Sequence, residues 1–565
     1  MHKKKRFLFT HPTKNRKTGE NAVRSFFTAC FFIAGLVQYP VRIEHKRSFC
    51  PTPESGCRGR RFYPRKEGHA LKKLLAILLT LALTLPLFAC GGGGSLLEET
   101  DTAETLIHRT ADLTAETGGG AHETTGFCAG FARADITPTT AVPLAGYGNT
   151  SLRVSQNILD PLYATCLALR DEDGQTLLIY HLDMINVWTE IGQRCREMVT
   201  QATGVPAEYI LLNATHTHSG PDAALSDDGG IGTWKGILYR AVVQTAKDAI
   251  ADLDTCEKIL VGTTETDRLN FVRRYYKENG FVCDNADYGT GEITGHETEV
   301  DQEMRIIRFR RKNQKDVVLA NWQCHPHRTG GSKKYDISSD IIGVMREKAE
   351  KKLDVNFLYL QGGAGNINPV SRITGEARFT DYHDIGNALY EHLADGLENG
   401  MRETPAGKIR AAATSFQGTV NHSMDGMVAV CEQIAALYAT DDRAGGNAMA
   451  VANGLSSAFE AQSIISRSRM EAPREIPVAC YAFGDVAITA APFEMFCQTE
   501  KQLREDSPFS FTVTCGYSNA RQLYLPAAEC FPNKGYEVVT CWYVQGTAEQ
   551  VSAHQMELLE QLKAN

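Results

Sequence analysis

The 565-residue chain has no strong excess of charge of either sign, no paired-cysteine spacing and no internal repeat. Basic residues number 59 and acidic residues 67, a net charge of −8. No basic stripe runs through the larger, C-terminal part, so nothing there draws nucleic acid electrostatically. Sixteen cysteines are present, yet none forms a Cys-x-x-Cys pair, and no disulfide framework is legible. Cys30, Cys50, Cys57 and Cys90 lie near the N-terminus. The rest, such as Cys166, Cys195, Cys324 and Cys497, are scattered, several in apolar runs where a free thiol behaves as a small hydrophobe. Outside the cytoplasm such thiols fit burial or a reducing habitat. The turn Gly362-Gly363-Ala364-Gly365 lacks the Lys-Ser/Thr of a phosphate-binding loop and the spacing of a dinucleotide fingerprint. Its glycines read as places where the backbone passes close to a substrate. What remains is 43% hydrophobic and 22% charged, the balance of a soluble globular enzyme with a large core.

The first 125 residues differ from the rest. Leu71-Lys72-Lys73 opens an apolar segment, Leu74 to Phe88, that is about 15 residues long. That suits the hydrophobic stretch of a secretion signal better than a membrane span. Leu87-Phe88-Ala89-Cys90 follows, a small residue before cysteine as in a bacterial lipoprotein box. Residues 71–90 therefore read as a lipoprotein-type signal, with Cys90 as the lipidated N-terminus. A plain secretory signal and an uncleaved anchor are the alternatives. Residues 1–70, basic and without periodicity, read as a mis-assigned or disordered extension, with translation beginning near Leu71. Residues 91–125 are rich in Gly, Thr, Glu and Ala and read as a flexible tether. The expected location is outside the cytoplasm, lipid-anchored at a bacterial cell membrane or secreted.

From 126 to 565 strands and helices alternate, which predicts one large α/β domain with a mixed sheet. Strands are expected at Thr176–Tyr180, Tyr209–Leu212 and Val355–Leu360. A hairpin is expected from Arg305–Phe309 and Val317–Ala320 across a polar turn. Helices are expected at Thr189–Thr203, near Lys235–Asp252, at Ser339–Lys352 and through most of Asp381–Arg467.

The most informative motif is Asn213-Ala214-Thr215-His216-Thr217-His218-Ser219-Gly220-Pro221. It follows the strand-like Tyr209–Leu212. If the strand continues, the histidines at i and i+2 face one side, at a strand end where open α/β sheets place their sites. Imidazole is the common metal ligand and general base at neutral pH. Taken alone, the pair equally fits histidines that cap a strand or bond locally. Three further strand ends carry candidate ligands: Cys324-His325-Pro326-His327, Pro492-Phe493-Glu494, and Gly516-Tyr517-Ser518-Asn519 running on to Tyr524. Glu494 also fits a carboxylate at the start of a helix over Met495–Leu503, and Tyr524 a core tyrosine. Asp183, at another strand end, reads as either a support for a ligand or a helix cap.

The order of these segments resembles the neutral, non-lysosomal ceramidase family of zinc amidases. The likeness begins with Ala132-Arg133-Ala134-Asp135-Ile136-Thr137-Pro138 and Leu144-Ala145-Gly146-Tyr147-Gly148. It continues through His216-Thr217-His218-Ser219-Gly220-Pro221, Arg273-Arg274, Cys324-His325-Pro326 and Gln361 to Pro369. It closes with Pro492-Phe493-Glu494, Ser518-Asn519, Tyr524 and Tyr536. The resemblance implies zinc held by His216, His325, Glu494 and Tyr524, with His218 catalytic and Arg274 and Tyr536 lining the reaction centre. The choice of Arg274 over Arg273 rests on position alone. Where the family carries a serine implicated in catalysis, this chain has Asn368, which is no nucleophile but can donate a hydrogen bond to an oxyanion. The chain also ends about forty residues after Tyr524, which predicts no C-terminal immunoglobulin-like domain of the ~100-residue kind.

The implied activity is zinc-dependent hydrolysis of an N-acyl amide, ceramide or a related acyl lipid, to a fatty acid and an amine. The implied partners are that acyl-amide lipid and, through Cys90, a membrane surface. Two other classes remain open: a metal-dependent hydrolase of a non-lipid amide or ester, and a non-catalytic surface lipoprotein that binds solutes.

Overall fold

The computed structural model describes residues 116–117, 124–147, 153–228, 230–283, 291–440 and 443–565. The expectations for 1–70 and for the signal at 71–90 lie outside the described residues. Within the segment read as a tether, Glu116 and Thr117 pair with Arg133 and Ala132.

Eight strands form the main path of a ten-stranded mixed sheet. In chain order they are β1 (Cys128–Asp135), β2 (Tyr163–Arg170), β3 (Thr176–Leu182), β4 (Ile210–Ala214), β5 (Asp254–Glu265), β6 (Glu303–Arg311), β7 (Val317–Trp322) and β8 (Asn356–Gln361). They lie side by side as β8-β7-β6-β5-β1-β2-β3-β4. The pairs β3/β4 and β7/β8 are parallel, so their carboxyl ends open on the same kind of edge. A second sheet consists of β9 (Ile409–Gly418), β10 (Arg474–Phe483), β11 (Val486–Ala490) and β12 (Phe511–Cys515), in that order, with β11/β12 parallel.

Period-two alternation explains the layering. In β3, Leu178, Tyr180 and Leu182 face a helix layer, while Leu177 and Ile179 face the second sheet. In β7, Val318, Ala320 and Trp322 take the helix side, and Val317 and Leu319 the sheet side. The helix layer is α1 (Thr189–Thr203), α2 (Ile231–Ala251), α3 (Asp340–Leu353) and α4 (Tyr382–Asn399). In the second sheet Val486 and Ile488 turn inward against the first, and Ala487 turns outward. Val551, Leu559 and Leu562 of the last helix share that outer core. The described residues from 124 onward thus form a helix–sheet–sheet–helix stack. Strands buried on both faces need near-continuous apolar runs, which β3, β4 and β7 have. The expected α/β mixed-sheet class holds, and the helix at Thr189–Thr203 falls where the sequence put it.

One stretch departs from expectation. Asp381–Arg467 is helical in the main, as expected, but α4 is followed by two strands the sequence did not suggest, Met401–Thr404 and the ten-residue β9. The run Ile409-Arg410-Ala411-Ala412-Ala413 favours helix locally. Pairing along β10 overrides that propensity, and as an edge strand β9 shows little apolar alternation. Helices α5 (Val428–Tyr438), α6 (Arg443–Ala452) and α7 (Ala458–Ser468) then form a small cluster with its own core of Cys431, Ile434, Ala461 and Ile464.

The two sheets are joined at their carboxyl ends by buried amides. Asn213 Nδ2 donates to Gly516 O at 2.8 Å and Ser518 Oγ at 3.1 Å, while its Oδ1 accepts from Gln361 N at 2.8 Å. Asn321 Nδ2 donates to Leu360 O and Thr514 O, both at 3.0 Å. Replacing Asn213 by Leu strands several buried groups and is expected to cost about 2–4 kcal/mol. Denaturant unfolding measures it; a loss below about 1 kcal/mol would show that the seam is not held this way.

Candidate metal centre

Every candidate ligand lies just past the carboxyl end of a strand. His216 follows β4, His325 follows β7, Glu494 follows β11, and Tyr524 lies beyond β12. His216 and His218 do not continue the strand as the simple alternation supposed. β4 ends at Ala214, and His216 takes φ 67°, in the left-handed region. A non-glycine residue held there is strained and persists only when its surroundings fix it. Here His216 N donates to Met184 O at 3.0 Å, and His218 N to Pro326 O at 3.1 Å. The imidazole rings end 4.9 Å apart, edge to face. Gly146 makes room for them: a Cβ there would sit 2.5 Å from His218 Cγ, and its φ is 112°.

Glu494 is not at a helix start either. Glu494–Met495 pairs in parallel with Tyr524–Leu525, Glu494 opposite Tyr524, before the next helix α8 (Cys497–Asp506) begins. The Gly-rich turn supports this pair rather than lining the cleft. A Cβ on Gly365 would sit 2.3 Å from Glu494 O, and Gly365 N donates to Met495 O at 2.8 Å.

The decisive geometry is at three atoms. His216 Nε2 and His325 Nε2 each stand 3.4 Å from Glu494 Oε2. Both rings have Nδ1 against a backbone carbonyl, Ile185 O at 2.7 Å and Ile367 O at 3.0 Å. Those carbonyls assign the proton of each neutral ring to Nδ1 and leave Nε2 a lone pair. Burial, and then Arg273, hold His325 well below the usual imidazole pKa. Burial raises Glu494; the interaction at His216 and His325 that outweighs it and holds the carboxylate well below its usual range needs positive charge at that point, which a cation would supply when the rings are neutral. Glu494 Oε2 itself is buried and has no hydrogen-bond partner of proper geometry. Two imidazole lone pairs therefore point at an ionised oxygen, an arrangement that is unfavourable unless a cation joins them. The edges of a tetrahedron with bonds of ~2.1 Å are about 3.4 Å long, matching both spacings. The donor set fits a divalent metal such as zinc.

His218 Nε2 lies 3.3 Å from His216 Nε2, and His216, His218 and His325 have ring nitrogens all within 4.8 Å. The Tyr524 hydroxyl accepts from Arg273 Nη2 at 3.2 Å, and its ring meets Tyr536 edge-on at 5.5 Å. Burial first and then Glu494 raise the Tyr524 phenol well above its ordinary pKa. Only a nearby cation would make it a good anionic donor. His327, the second histidine of the later motif, has its Nε2 3.0 Å from Asn368 Oδ1. That acceptor assigns Nε2 a proton, so His327 faces away from the ligand role.

The arginine assignment needs correcting. Arg274 points away from the histidines: its guanidinium is locked to Glu297 at 2.5 Å, Glu537 at 2.8 Å and the carbonyls of Cys530 and Lys534. Arg273 is the one that reaches the centre. It touches His325 Nε2 and Asn368 Oδ1 at 3.4 Å and is anchored by Glu537 at 2.7 Å. Neighbouring residues of an extended chain face opposite sides, so a one-place choice swaps the roles completely. Asp183 supports neither a ligand nor a helix start: it binds His181, Arg346 and Tyr163 N.

These side chains open on a cleft of about 430 Å³ lined by Tyr147, Trp188, His218, Phe459, Arg521 and Tyr536 among others. Sequence reasoning gave no role to Tyr147, Trp188, Phe459 or Arg521. Tyr147 sits edge-on to His218 at 5.2 Å.

Residues 127–363 match the family model described as neutral/alkaline non-lysosomal ceramidase, N-terminal. The resemblance read from the motifs stands. Among solved structures, neutral ceramidase from Pseudomonas aeruginosa has a TM-score of 0.60 at 18% identity, over 78% of this chain and 75% of that one. A ceramidase complexed with C2 has a TM-score of 0.59 at 16% identity, over 78% and 76%. The fold is thus that of neutral ceramidase. Glu494 and Tyr524 lie beyond the matched segment, so their meeting with His216 and His325 is an independent observation.

His216→Ala and Glu494→Gln are each expected to abolish stoichiometric zinc binding, whereas Arg274→Met should lower thermal stability and leave zinc in place. Metal analysis after dialysis, alongside thermal unfolding, checks this. Full zinc retention in both ligand variants would sink the assignment.

Proposed function

We propose that the chain is a zinc-dependent hydrolase that cleaves an N-acyl amide, ceramide or a related acyl lipid, to a fatty acid and an amine. The observation that carries this reading is the buried, partnerless Glu494 Oε2 at tetrahedral-edge distance from two imidazole lone pairs. Its place in a ceramidase-like fold supports it.

His216, His325 and Glu494 would hold the metal, with Tyr524 beside them. A bound zinc supplies Lewis acidity toward the carbonyl and acidifies a water toward neutral pH. His218 is the proton carrier. Burial first, then the neighbouring histidines, hold it well below the usual imidazole pKa. It is therefore neutral and able to accept a proton, which it then passes to the leaving amine. Arg273, fixed by Glu537, and Tyr536 supply donors for the oxyanion. Asn368 has no nucleophilic atom, and its Oδ1 is turned toward His327 and Arg273. Any donation from it to substrate has to come from Nδ2, while its Oδ1 orients those two donors.

We also propose that Cys90 is lipidated and holds the enzyme at the outer face of a membrane, where acyl-lipid substrates lie. Mass spectrometry of protein from a bacterial host should find the mature chain beginning at a lipidated Cys90. A mature chain retaining residues 1–70 would contradict it.

A panel of ceramides and N-acyl amides, assayed with zinc-loaded and chelated protein, tests the activity. Hydrolysis should vanish on chelation and return with zinc. His218→Ala should keep its zinc and lose about 10²–10⁴-fold in rate. Asn368→Ala should cost less, at most about 10²-fold. Turnover that survives complete zinc removal, or a trapped acyl adduct on any side chain, overturns the mechanism.

A further inference from the structure

Arg521 is the arginine of the cleft lining, and neither the metal centre nor the proton path uses it. It lies on the loop between β12 and Tyr524, half-buried, three residues from a proposed ligand. Its guanidinium carbon sits 4.1 Å from the centroid of the Trp188 ring. Stacking of that kind fixes the plane of the guanidinium and leaves its edge, with the N–H donors, unoccupied. Nε is buried and has no hydrogen-bond partner. The groups whose charges act on it most are Glu494 and Asp222, followed by Tyr536 and Tyr524, all lining the same cleft. Arg521 thus lines the cleft onto which the metal centre opens, and it also borders a groove that holds Glu471 and Glu475, neither of which pairs with it. Neither Glu494 nor Asp222 pairs with it. Glu494 is directed at His216 and His325, and Asp222 Oδ1 accepts from Ala224 N. The other arginines nearby are anchored by carboxylates or carbonyls. Arg273 and Arg274 share Glu537, and Arg153 donates to the carbonyls of Ala145, His218 and Lys334.

A cation that pays for its desolvation without an ion pair is costly to keep unless a guest completes it. A rigidly presented guanidinium edge matches a carboxylate, sulfonate or phosphate with two parallel hydrogen bonds.

We propose that Arg521 is a specificity-determining residue that binds an anionic group on the amine half of the substrate. The inference rests on the N-acyl amide reading above. Under that reading the acyl half is hydrocarbon, so the anion has to be carried by the amine. The preferred substrate class is then an acylated amino acid, aminosulfonate or amino-alcohol phosphate rather than an uncharged acyl amine.

The experiment uses the zinc-loaded full chain and two substrates of equal acyl length, N-dodecanoyl glycine and N-dodecanoyl ethanolamine, with an N-dodecanoyl aminosulfonate as a third arm. Wild type is expected to favour the anionic substrates in kcat/KM. Arg521→Gln should lower the anionic-to-neutral ratio by about 10–100-fold, mainly through KM, and Arg521→Lys should recover part of it. Loss of preference for glycine and sulfonate alike indicates recognition of charge; loss for glycine alone indicates a planar bidentate site. Both support the proposal. Binding of N-dodecyl iminodiacetate to zinc-free protein, followed by calorimetry, supplies a readout independent of turnover and should weaken by a similar factor in Arg521→Gln. Unchanged substrate ratio and unchanged binding in a variant with wild-type zinc content and unfolding midpoint overturn the proposal. If no amide is cleaved by any form but the amphiphile still binds through Arg521, the hydrolase reading fails while the anion site stands.

Discussion

A buried carboxylate oxygen that faces two imidazole lone pairs is the constraint around which the rest of the molecule is arranged. Glu494 Oε2 has no hydrogen bond to satisfy it. Left so, it would oppose folding, since an ionised group stripped of water and partners is among the most unfavourable features a core can hold. A cation held there would resolve it and, under the proposed function, would also supply the chemistry. Metal binding would couple to local stability through that one atom, and the carbonyls of Ile185 and Ile367 fix the tautomers that would make the coupling possible.

Bringing those groups together is a task for two sheets, not one. His216 and His325 hang from the first sheet, Glu494 and Tyr524 from the second. No single sheet edge can surround a point, because strand ends lie in a row about 4.8 Å apart. Stacking a second sheet face to face supplies ligands from the other side. The amides of Asn213 and Asn321 then tie the facing ends together with backbone carbonyls as acceptors. A polar seam is needed there because the strands end and their terminal carbonyls have lost ladder partners. Farther back the same two sheets meet through Leu177, Ile179, Val486 and Ile488, where the ladders are complete and only apolar contact is required.

Much of this was legible in the sequence where local rules and tertiary demands agree. The apolar runs that became β3, β4 and β7 had to be doubly buried strands, and the polar residues after them had to leave the sheet. The motif order pointed to His216, His325, Glu494 and Tyr524 as neighbours. What escaped were features decided by contacts distant in sequence. The Ala-rich stretch of β9 reads as helix until β10 is beside it. His216 reads as a strand residue until the backbone of Met184 pulls it into the left-handed region. Arg273 and Arg274 are chemically identical, and only the positions of Glu297 and Glu537 on either side tell which one faces the histidines. Glu494 at a helix start and Glu494 in a two-residue parallel pair have the same local sequence; the partner strand, thirty residues on, makes the difference.

The placement of charge around the cleft follows from the same constraint. Two arginines and two glutamates, Arg273, Arg274, Glu297 and Glu537, form a closed buried set in which each charge has an opposite neighbour. That set can be held rigid without cost to the reaction, and it aims a single guanidinium edge, that of Arg273, at the centre. Burial works against the charge of Arg274, yet Glu537 and Glu297 keep it protonated, so it serves as the inert half that fixes its neighbour. Arg521 has no such companion and is held by stacking on Trp188 instead. A guanidinium secured through its face keeps its donors for something that arrives. One arginine is thus built into the reaction centre and another is left open on the cleft. That difference between a cation with carboxylate partners and one without is what would separate, under the proposed function, the part of the cleft that performs chemistry from the part that selects what enters.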